Sequence, residues 1–257
     1  MNTIKVSVRD KIAFLSLDNG KSNAINAEML NELSDIIKAI DQDSGTGGLI
    51  ITGKENFFSA GLDLIELYDY NADQISKFWT NFLELVYVFS SLRKPAIAAI
   101  NGHSPAGGCV LALCCDYRVM AEGKFIIGLN EIPVGLIVPE SIFQLYAFWL
   151  GKGNAYRFLL EGKLMSSEEA IKVGLVDEVC NQQSIVTVAE RQMKKYIQLG
   201  WTTWQQSKIN LRRELIGHLK ADQTETLKIM LEQWWSPSTR KILQTIISNL
   251  QNKPRNV

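Results

Sequence analysis

Two short turns that contain glycine constrain the fold of this chain more than any other feature. The first, residues 58–63, follows the apolar segment 49–52, and the second, residues 104–109, follows the small-residue segment 96–100. Each turn precedes the start of a predicted helix. A strand, a tight turn and a helix that recur along a chain are typical of right-handed crossovers between parallel strands. The sequence therefore predicts an α/β fold with a mainly parallel sheet.

The first fifty residues fit this prediction. Apolar and polar residues alternate over residues 4–17 on either side of Asp10 and Lys11, which predicts a β-hairpin that turns at these two residues. Asn26 precedes a segment with apolar residues at helical spacing and is expected to cap that helix. A hairpin at one edge is compatible with the parallel strands that follow it.

From residue 139 onward the pattern becomes mainly helical. Residues 166–169 have the sequence of a capping box, and Gly174 is placed to end the helix that this box begins. Residues 184–252 are predicted to be helices that break at three points: Gly200, Gly217 and the pair Ser236 and Pro237. We therefore expect a core over residues 1–183 and a helical C-terminal region over residues 184–257 that packs against it.

Composition excludes several classes of protein. The 257 residues include 27 basic and 27 acidic side chains, so no net charge attracts nucleic acid or an anionic membrane. No uncharged apolar run reaches the roughly 20 residues of a membrane span. The four cysteines lack the paired spacing of a zinc site. We expect a reduced, cytoplasmic protein of bacterial type that holds no metal; a processed protein of the mitochondrial matrix is the alternative.

The chemistry of the two turns indicates a site for a substrate oxygen. Gly61, Gly107 and Gly108 lack side chains, so an oxygen can approach the backbone closely. Helix N-termini present unpaired N–H groups and a partial positive charge. If both turns face one cleft, they form an oxyanion hole, in which one donor contributes about 3–4 kcal/mol of transition-state stabilisation.

A single acidic residue, Glu131, is the predicted proton carrier. It follows an apolar strand and precedes Pro133, a setting that differs from that of an ordinary surface glutamate. In an apolar pocket the pKa of a carboxyl group rises, which suits a base that must also return its proton. The turns and the glutamate together predict an enzyme that forms and discharges an enolate.

The same residues carry a resemblance to a known family. Four segments, in order, resemble the crotonase (enoyl-CoA hydratase/isomerase) superfamily: FFSAGLDL at 57–64, AING at 99–102, PAGGC at 105–109 and FIIG at 125–128. The resemblance extends from about residue 4 to about residue 180. Within the superfamily, segments 59–64, 105–109 and 127–131 are most similar to the mitochondrial-type Δ3,Δ2-enoyl-CoA isomerases.

The resemblance implies a fold of repeated ββα turns, a crotonase-like superhelix, with a helical C-terminal region for trimerisation. It implies a homotrimer or a dimer of trimers. It also implies roles for individual residues. The oxyanion hole would be formed by the N–H groups of Leu62 and Gly107, and Glu131 would be the catalytic glutamate. The residues that would bind the acyl-CoA substrate are Ala60, Gly61, Leu62, Asp63, Leu64, Gly107, Val110 and Asn130.

A departure from the hydratase pattern favours one reaction. Typical enoyl-CoA hydratases have a second glutamate at the position of Val110. Two carboxylates can hold and activate a water molecule, whereas a single carboxylate can move a proton from C2 to C4 of a bound acyl chain. The resemblance therefore implies a Δ3,Δ2-enoyl-CoA isomerase. It needs no metal or redox cofactor, and coenzyme A enters as part of the substrate.

Other readings stay open. A different reaction on an acyl-CoA is one alternative: hydration, thioester hydrolysis or decarboxylation. A noncatalytic acyl-CoA-binding protein is another. For His103, Asp63 and Cys109 an ordinary structural or surface role is favoured over catalysis. His218 has no obvious partner for a catalytic triad, and Glu140 is assigned no role. Trp234 and Trp235 fit either core packing or an oligomer interface.

Overall fold

The computed structural model describes residues 2–252; residue 1 and residues 253–257, at the outer ends of the two predicted regions, lie outside the described residues. In chain order the strands are β1 (Ile4–Arg9), β2 (Ile12–Leu17), β3 (Gly48–Thr52), β4 (Asn56–Phe57), β5 (Ala96–Ile100), β6 (Gly102–Pro105), β7 (Tyr117–Ala121), β8 (Ile126–Gly128), β9 (Leu164–Ser166) and β10 (Glu178–Cys180). The helices are α1 (Ala27–Gln42), α2 (Leu64–Tyr68), α3 (Ala72–Ser90), α4 (Gly107–Cys114), α5 (Glu140–Leu150), α6 (Lys152–Glu161), α7 (Ser167–Val173), α8 (Ile185–Ile197), α9 (Trp201–Leu211), α10 (Arg213–Lys220), α11 (Thr224–Trp234) and α12 (Pro237–Asn252).

A six-stranded sheet has the order β1-β2-β3-β5-β7-β10. β1 and β2 pair antiparallel, and every later neighbour in this sheet pairs parallel. Asp10 and Lys11 have φ values of 51° and 62°, the left-handed conformation of a two-residue hairpin turn. The predicted hairpin and the mainly parallel sheet are therefore confirmed.

A second, four-stranded sheet has the order β4-β6-β8-β9. β4, β6 and β8 run parallel, and β9 pairs antiparallel with β8. The first glycine turn follows β4, the second begins with the last two residues of β6, and Glu131 comes three residues after the end of β8. Because the carboxyl ends of parallel neighbours meet at one edge of a sheet, this topology brings the two turns and Glu131 together.

The core lies on both faces of the six-stranded sheet. In β5, Ala96, Ala98 and Ile100 belong to the larger apolar cluster, which also includes residues of α1, α3, α4 and α5. Ile97 and Ala99 belong to a smaller cluster covered by α8. The alternation follows from the two-residue period of a strand. Helices on both faces also explain why β3 and β5 are buried along their whole length.

The predicted helix ends are mostly confirmed. The side chain of Asn26 accepts a hydrogen bond of 3.0 Å from the N–H of Met29 at the start of α1. Ser166 and Glu169 form the capping box of α7, and Gly174 ends that helix in the left-handed conformation. Gly200 precedes α9. Asn26, the capping box and Gly174 satisfy backbone groups that a helix end would otherwise leave unpaired.

The predicted helix break at Gly217 is wrong. Gly217 lies inside α10, and the chain departs from helix instead at Arg212 and after Lys220. Leu215 and Leu219 are both buried on one face of this helix. Their packing offsets the roughly 1 kcal/mol by which an interior glycine weakens a helix.

The C-terminal helices are joined to the rest of the chain by buried polar contacts. Arg212 donates hydrogen bonds to the carbonyl oxygens of Cys114 and Cys115, at the end of α4. Trp234 is fully buried, whereas Trp235 is 41% exposed, so core packing accounts for the first of the two tryptophans. The boundary expected between residues 183 and 184 falls in a short 3-10 helix, Gln182–Ser184, and the division into two regions stays a prediction.

Candidate active site

A cleft of about 830 Å³ opens at the edge where β4, β6 and β8 end. Most of the site residues predicted from the sequence line it: Ala60, Leu62, Asp63, Leu64, Gly107, Val110, Asn130 and Glu131. Gly61 lies directly behind this lining, against Ala106 and Gly107. The structure thus brings all of the predicted residues to one place.

The two glycine turns pack against each other without room for side chains. Gly61 has φ +88°, and a Cβ atom there would lie 3.1 Å from the Cβ atom of Ala106. A Cβ atom on Gly108 would lie 2.4 Å from the carbonyl oxygen of Ser59. No real Cβ atom approaches a carbonyl oxygen so closely, so glycine is required where α4 meets the first turn.

Leu62 and Gly107 carry backbone donors at the wall of the cleft. The neighbours of Leu62 bond to Ile25: the N–H of Ile25 donates to Gly61, and the N–H of Asp63 donates to Ile25. Gly107 is the first residue of α4, so its N–H has no partner within the helix. Within residues 2–252 neither the Leu62 nor the Gly107 N–H has a hydrogen-bond acceptor. Both donors are therefore left for an acceptor that is not part of the described residues.

Backbone strain accompanies the second turn. Ala106, which precedes α4, has φ 48° and ψ −123°, an unfavourable conformation for a residue with a side chain. Its N–H donates a 2.8 Å hydrogen bond to the carbonyl oxygen of Gly128 at the end of β8. This bond ties the start of α4 to the segment that leads to Glu131.

A loop that sequence reasoning missed fixes the first turn. Asn23 is fully buried and donates from its side chain to the carbonyl oxygens of Phe57 and Phe58. The carbonyl oxygen of Asn23 accepts a 2.7 Å hydrogen bond from the hydroxyl of Ser59. A buried amide that bonds to backbone atoms 34 and 35 residues away gives no local sequence signal, so only the fold reveals it.

Backbone hydrogen bonds fix the position of Glu131, and the residue as a whole is partly exposed. Its carbonyl oxygen accepts from the N–H groups of Val134 and Leu136, which fixes the turn that follows it. Its carboxylate oxygen Oε2 is buried and has no hydrogen-bond partner in the described part of the chain. Burial raises the pKa of Glu131 from 4.5 to about 7, and a contact with its own backbone N–H opposes this shift. Such a group can both accept and release a proton near neutral pH.

The surroundings of Glu131 are mainly apolar. Val110, one helical turn into α4, is 1% exposed and lines the cleft. Asn130 also lines the cleft, and its Oδ1 atom has no partner within residues 2–252. Asp63, the other carboxylate in the cleft lining, caps α2 by accepting from the N–H of Glu66 at 3.1 Å. Glu131 is therefore the lining carboxylate that is not used as a helix cap.

The cleft includes a hydrophobic part, here called the hydrophobic chamber, that the sequence did not identify. Its apolar walls come from three helices, α3, α5 and α12: Trp79, Phe82, Ile142, Ile246 and Leu250. The spacing of Ile246 and Leu250, four residues apart, marks one face of α12 but does not say what that face contacts. The region expected to serve packing and oligomerisation thus also contributes to the cleft.

The other candidate residues lie in structural settings. The His103 ring packs at a tilt against Phe57 and edge-to-face against Phe125, and burial lowers the pKa of His103. Cys109 is fully buried. The Nδ1 atom of His218 lies 3.5 Å from Oε1 of the exposed Glu140. Within residues 2–252, no three His, Cys, Asp or Glu side chains form a group that could hold a metal ion. No helix in that range is long and apolar enough to cross a bilayer.

Comparison with known proteins agrees with this architecture. The family described as enoyl-CoA hydratase/isomerase matches residues 7–248. Mitochondrial enoyl-CoA delta isomerase 1 of the mouse, Mus musculus, is 34% identical over 244 residues, which are 94% of this chain and 84% of the relative. The crystal structure of human mitochondrial delta3-delta2-enoyl-CoA isomerase has a TM-score of 0.92 and 28% identity, with 97% of this chain and 98% of that chain covered.

Hydratases are also among the relatives. Crotonyl-CoA hydratase of the bacterium Syntrophomonas wolfei is 31% identical over 180 residues, which are 69% of this chain and 68% of the relative. Similarity therefore extends to mitochondrial and bacterial proteins and to both reaction types. The family match over nearly the whole chain, together with the crotonase fold, establishes the membership: the chain belongs to the enoyl-CoA hydratase/isomerase family.

Proposed function

We propose that this enzyme is a Δ3,Δ2-enoyl-CoA isomerase that converts a 3-enoyl-CoA into the trans-2-enoyl-CoA. One observation carries the proposal. Among the residues that line the cleft, Glu131 is the carboxylate left free for proton transfer, and the apolar Val110 lies in the same lining. The similarity to mouse and human enoyl-CoA isomerases supports the same reaction.

In this proposal the thioester carbonyl of the substrate accepts hydrogen bonds from the N–H groups of Leu62 and Gly107. Glu131 removes a proton from C2, and the electron pair of the C2–H bond moves into a dienolate whose negative charge lies on the thioester oxygen. The same carboxyl group then returns the proton to C4, and the double bond is left between C2 and C3. The pKa of Glu131 near 7 keeps both directions of transfer accessible.

The remaining residues would bind the substrate. The segment 60–64 and Asn130 contact the coenzyme A and acyl portions at the mouth of the cleft, and the hydrophobic chamber receives the acyl chain. The thioester and the two N–H groups supply the activation, so the proposal requires no cofactor other than the coenzyme A of the substrate. We also propose a homotrimer or a dimer of trimers in the cytoplasm, with the mitochondrial matrix as the alternative; light scattering measures the assembly.

Hydration is the second candidate because a crotonyl-CoA hydratase is among the relatives. It requires a group that activates water. Val110 is apolar and 1% exposed, and Asp63 is engaged as a helix cap. We therefore expect crotonyl-CoA to be hydrated far more slowly than 3-enoyl-CoA is isomerised. Formation of 3-hydroxybutyryl-CoA measures this competing reaction.

The test uses trans-3-hexenoyl-CoA and follows the appearance of the conjugated 2-enoyl thioester. The wild-type protein should form it, and Glu131→Gln should lose at least a hundredfold in kcat, since general acid–base catalysis is worth about 10²–10⁴-fold. Glu140→Gln, which changes an exposed acid outside the cleft lining, is the matched control and should retain activity. Absence of isomerisation by the wild-type protein, or undiminished turnover in Glu131→Gln, would refute the proposal.

A further inference from the structure

A buried tyrosine beneath the cleft is not used by the proposed mechanism. Tyr146 on α5 is fully buried, and its hydroxyl group has no hydrogen-bond partner in the described part of the chain. A buried hydroxyl group without a partner is unfavourable, whereas phenylalanine would fill the same space without that cost. The position of Tyr146 therefore deserves an explanation beyond packing.

Contacts of α5 with the cleft and with α4 show which way Tyr146 faces. Ile142, one turn earlier on α5, lines the cleft, as does Val110 of α4. Trp149, one turn later than Tyr146, donates a 2.8 Å hydrogen bond to the carbonyl oxygen of Leu113 on α4. Residues three and four apart share a helix face, so Tyr146 lies between these two contacts and faces α4.

Electrostatics connects Tyr146 with Glu131. Burial, then Cys109 and then the Glu131 carboxylate raise the pKa of Tyr146. Burial and then Glu131 likewise raise the pKa of Cys109, which lies on α4 next to Val110 and four residues before Leu113. The three groups therefore form one cluster under the floor of the cleft. Two further groups act on the pKa of Cys109 from outside the cleft lining: the buried Arg118 guanidinium lowers it, and Cys114 raises it.

We propose that Tyr146 is a positioning residue for Glu131, and that its hydroxyl donates a hydrogen bond, directly or through one water molecule, to the buried Oε2 of the charged carboxylate. This inference rests on the proposed role of Glu131 as the proton carrier. Both Oε2 and the tyrosine hydroxyl lack partners within residues 2–252, so one bond satisfies both. A charged acceptor also makes a stronger bond than the neutral Oδ1 of Asn130.

Such a bond would serve the reaction in two ways. It occupies Oε2 and so leaves Oε1 for the substrate carbon, which fixes the orientation of the base. It also favours the charged form of Glu131, because a hydrogen bond donated to a carboxylate stabilises the ionised state. Burial then raises the pKa of the Glu131 carboxyl group, and the hydrogen bond from the tyrosine lowers it.

The test is the variant Tyr146→Phe, which removes one oxygen atom and keeps the ring. Infrared spectroscopy follows the carboxyl band of Glu131 against pH in the substrate-free protein; the band is identified by its absence in Glu131→Gln. The midpoint should lie about one pH unit higher in Tyr146→Phe than in the wild type, since a charge-assisted hydrogen bond is worth roughly that much. The acid limb of kcat/KM should move in the same direction.

The matched control is Tyr196→Phe. Tyr196 lies on α8, against the smaller cluster on the other face of the six-stranded sheet, and Glu131 has no effect on its pKa. In Tyr196→Phe the midpoint of the Glu131 carboxyl titration should equal that of the wild type. Coincident midpoints in Tyr146→Phe and the wild type would overturn the inference. A shifted midpoint in a protein without isomerase activity would uphold the Tyr146–Glu131 contact while the proposed function fails.

Discussion

The backbone nitrogen of Gly107 lies 3.2 Å from the position that a Cβ atom on Gly61 would take. Gly61→Ala would add that atom at φ +88°, and the nearest neighbours are backbone atoms and Ala106, which have little freedom to move. The start of α4 must shift, and with it one of the two N–H donors. We expect kcat/KM for trans-3-hexenoyl-CoA to fall at least tenfold.

Gly151→Ala is the matched control for this prediction. Gly151 has φ +73°, but no heavy atom of the described residues lies within 4 Å of a Cβ atom placed there. The two variants therefore share the backbone strain and differ in the contact with the second turn. Equal kcat/KM values for Gly61→Ala and Gly151→Ala would show that the packing of the turns does not matter to catalysis.

The pH dependence of activity should report the ionisation of Glu131. Burial raises the pKa of this group to about 7, and only the charged form can take a proton from C2. The kcat/KM value should therefore rise about tenfold per pH unit below pH 7 and level off above it. A profile that stays flat from pH 5.5 to pH 8 would mean that Glu131 is not the base.

The same raised pKa should cost the folded protein stability at neutral pH. The folded protein binds this proton more tightly than the unfolded chain, so the contribution of Glu131 to the free energy of unfolding falls as pH rises from about 4.5 to 7. Glu131→Gln removes this dependence. At pH 8 urea unfolding should show the variant to be more stable than the wild type by on the order of 2–3 kcal/mol.

At pH 4.5 most of that advantage should be absent, since the folded wild type then holds the proton and the unfolded chain holds it about half of the time. Glu140→Gln, at an exposed position, should show no comparable gain at either pH. If the difference between Glu131→Gln and the wild type is the same at both values of pH, the carboxyl group is not perturbed as the structure indicates.

The choice between isomerisation and hydration should depend on position 110. Val110→Glu would place a second carboxylate on α4 at the wall of the cleft, where a water molecule could be held between two acids. We expect crotonyl-CoA hydration to increase at least tenfold over the wild type. Val110→Gln, of the same size but without a basic group, should not show this gain; a similar increase in both variants would count against the argument.

Structural features that depend on local sequence were predicted correctly, except where tertiary packing opposes local propensity. The hairpin at Asp10 and Lys11 and the cap at Asn26 depend on residues close together in the chain, so local patterns sufficed. The break expected at Gly217 was wrong because buried leucines on either side stabilise a helix that glycine alone weakens. Local propensity and tertiary packing act in opposite directions there, and packing prevails.

Contacts between distant segments could not be predicted in the same way. Asn23 holds the first turn through backbone oxygens of residues 57 and 58, and Leu250 reaches the cleft from the last helix. Neither residue differs in type or spacing from many others in the chain. The motifs on the two turns and Glu131 identified the family, whereas the loop and helices that complete the cleft required the three-dimensional structure.

Transfer of deuterium within one substrate molecule tests the single-glutamate mechanism most directly. Trans-3-hexenoyl-CoA that carries deuterium at C2 is converted in ordinary water, and NMR or mass spectrometry locates deuterium in the earliest 2-enoyl product. If Glu131 carries the abstracted atom to C4, part of the product has deuterium at C4. Product that carries only solvent hydrogen at C4, even at the earliest times, would contradict this account.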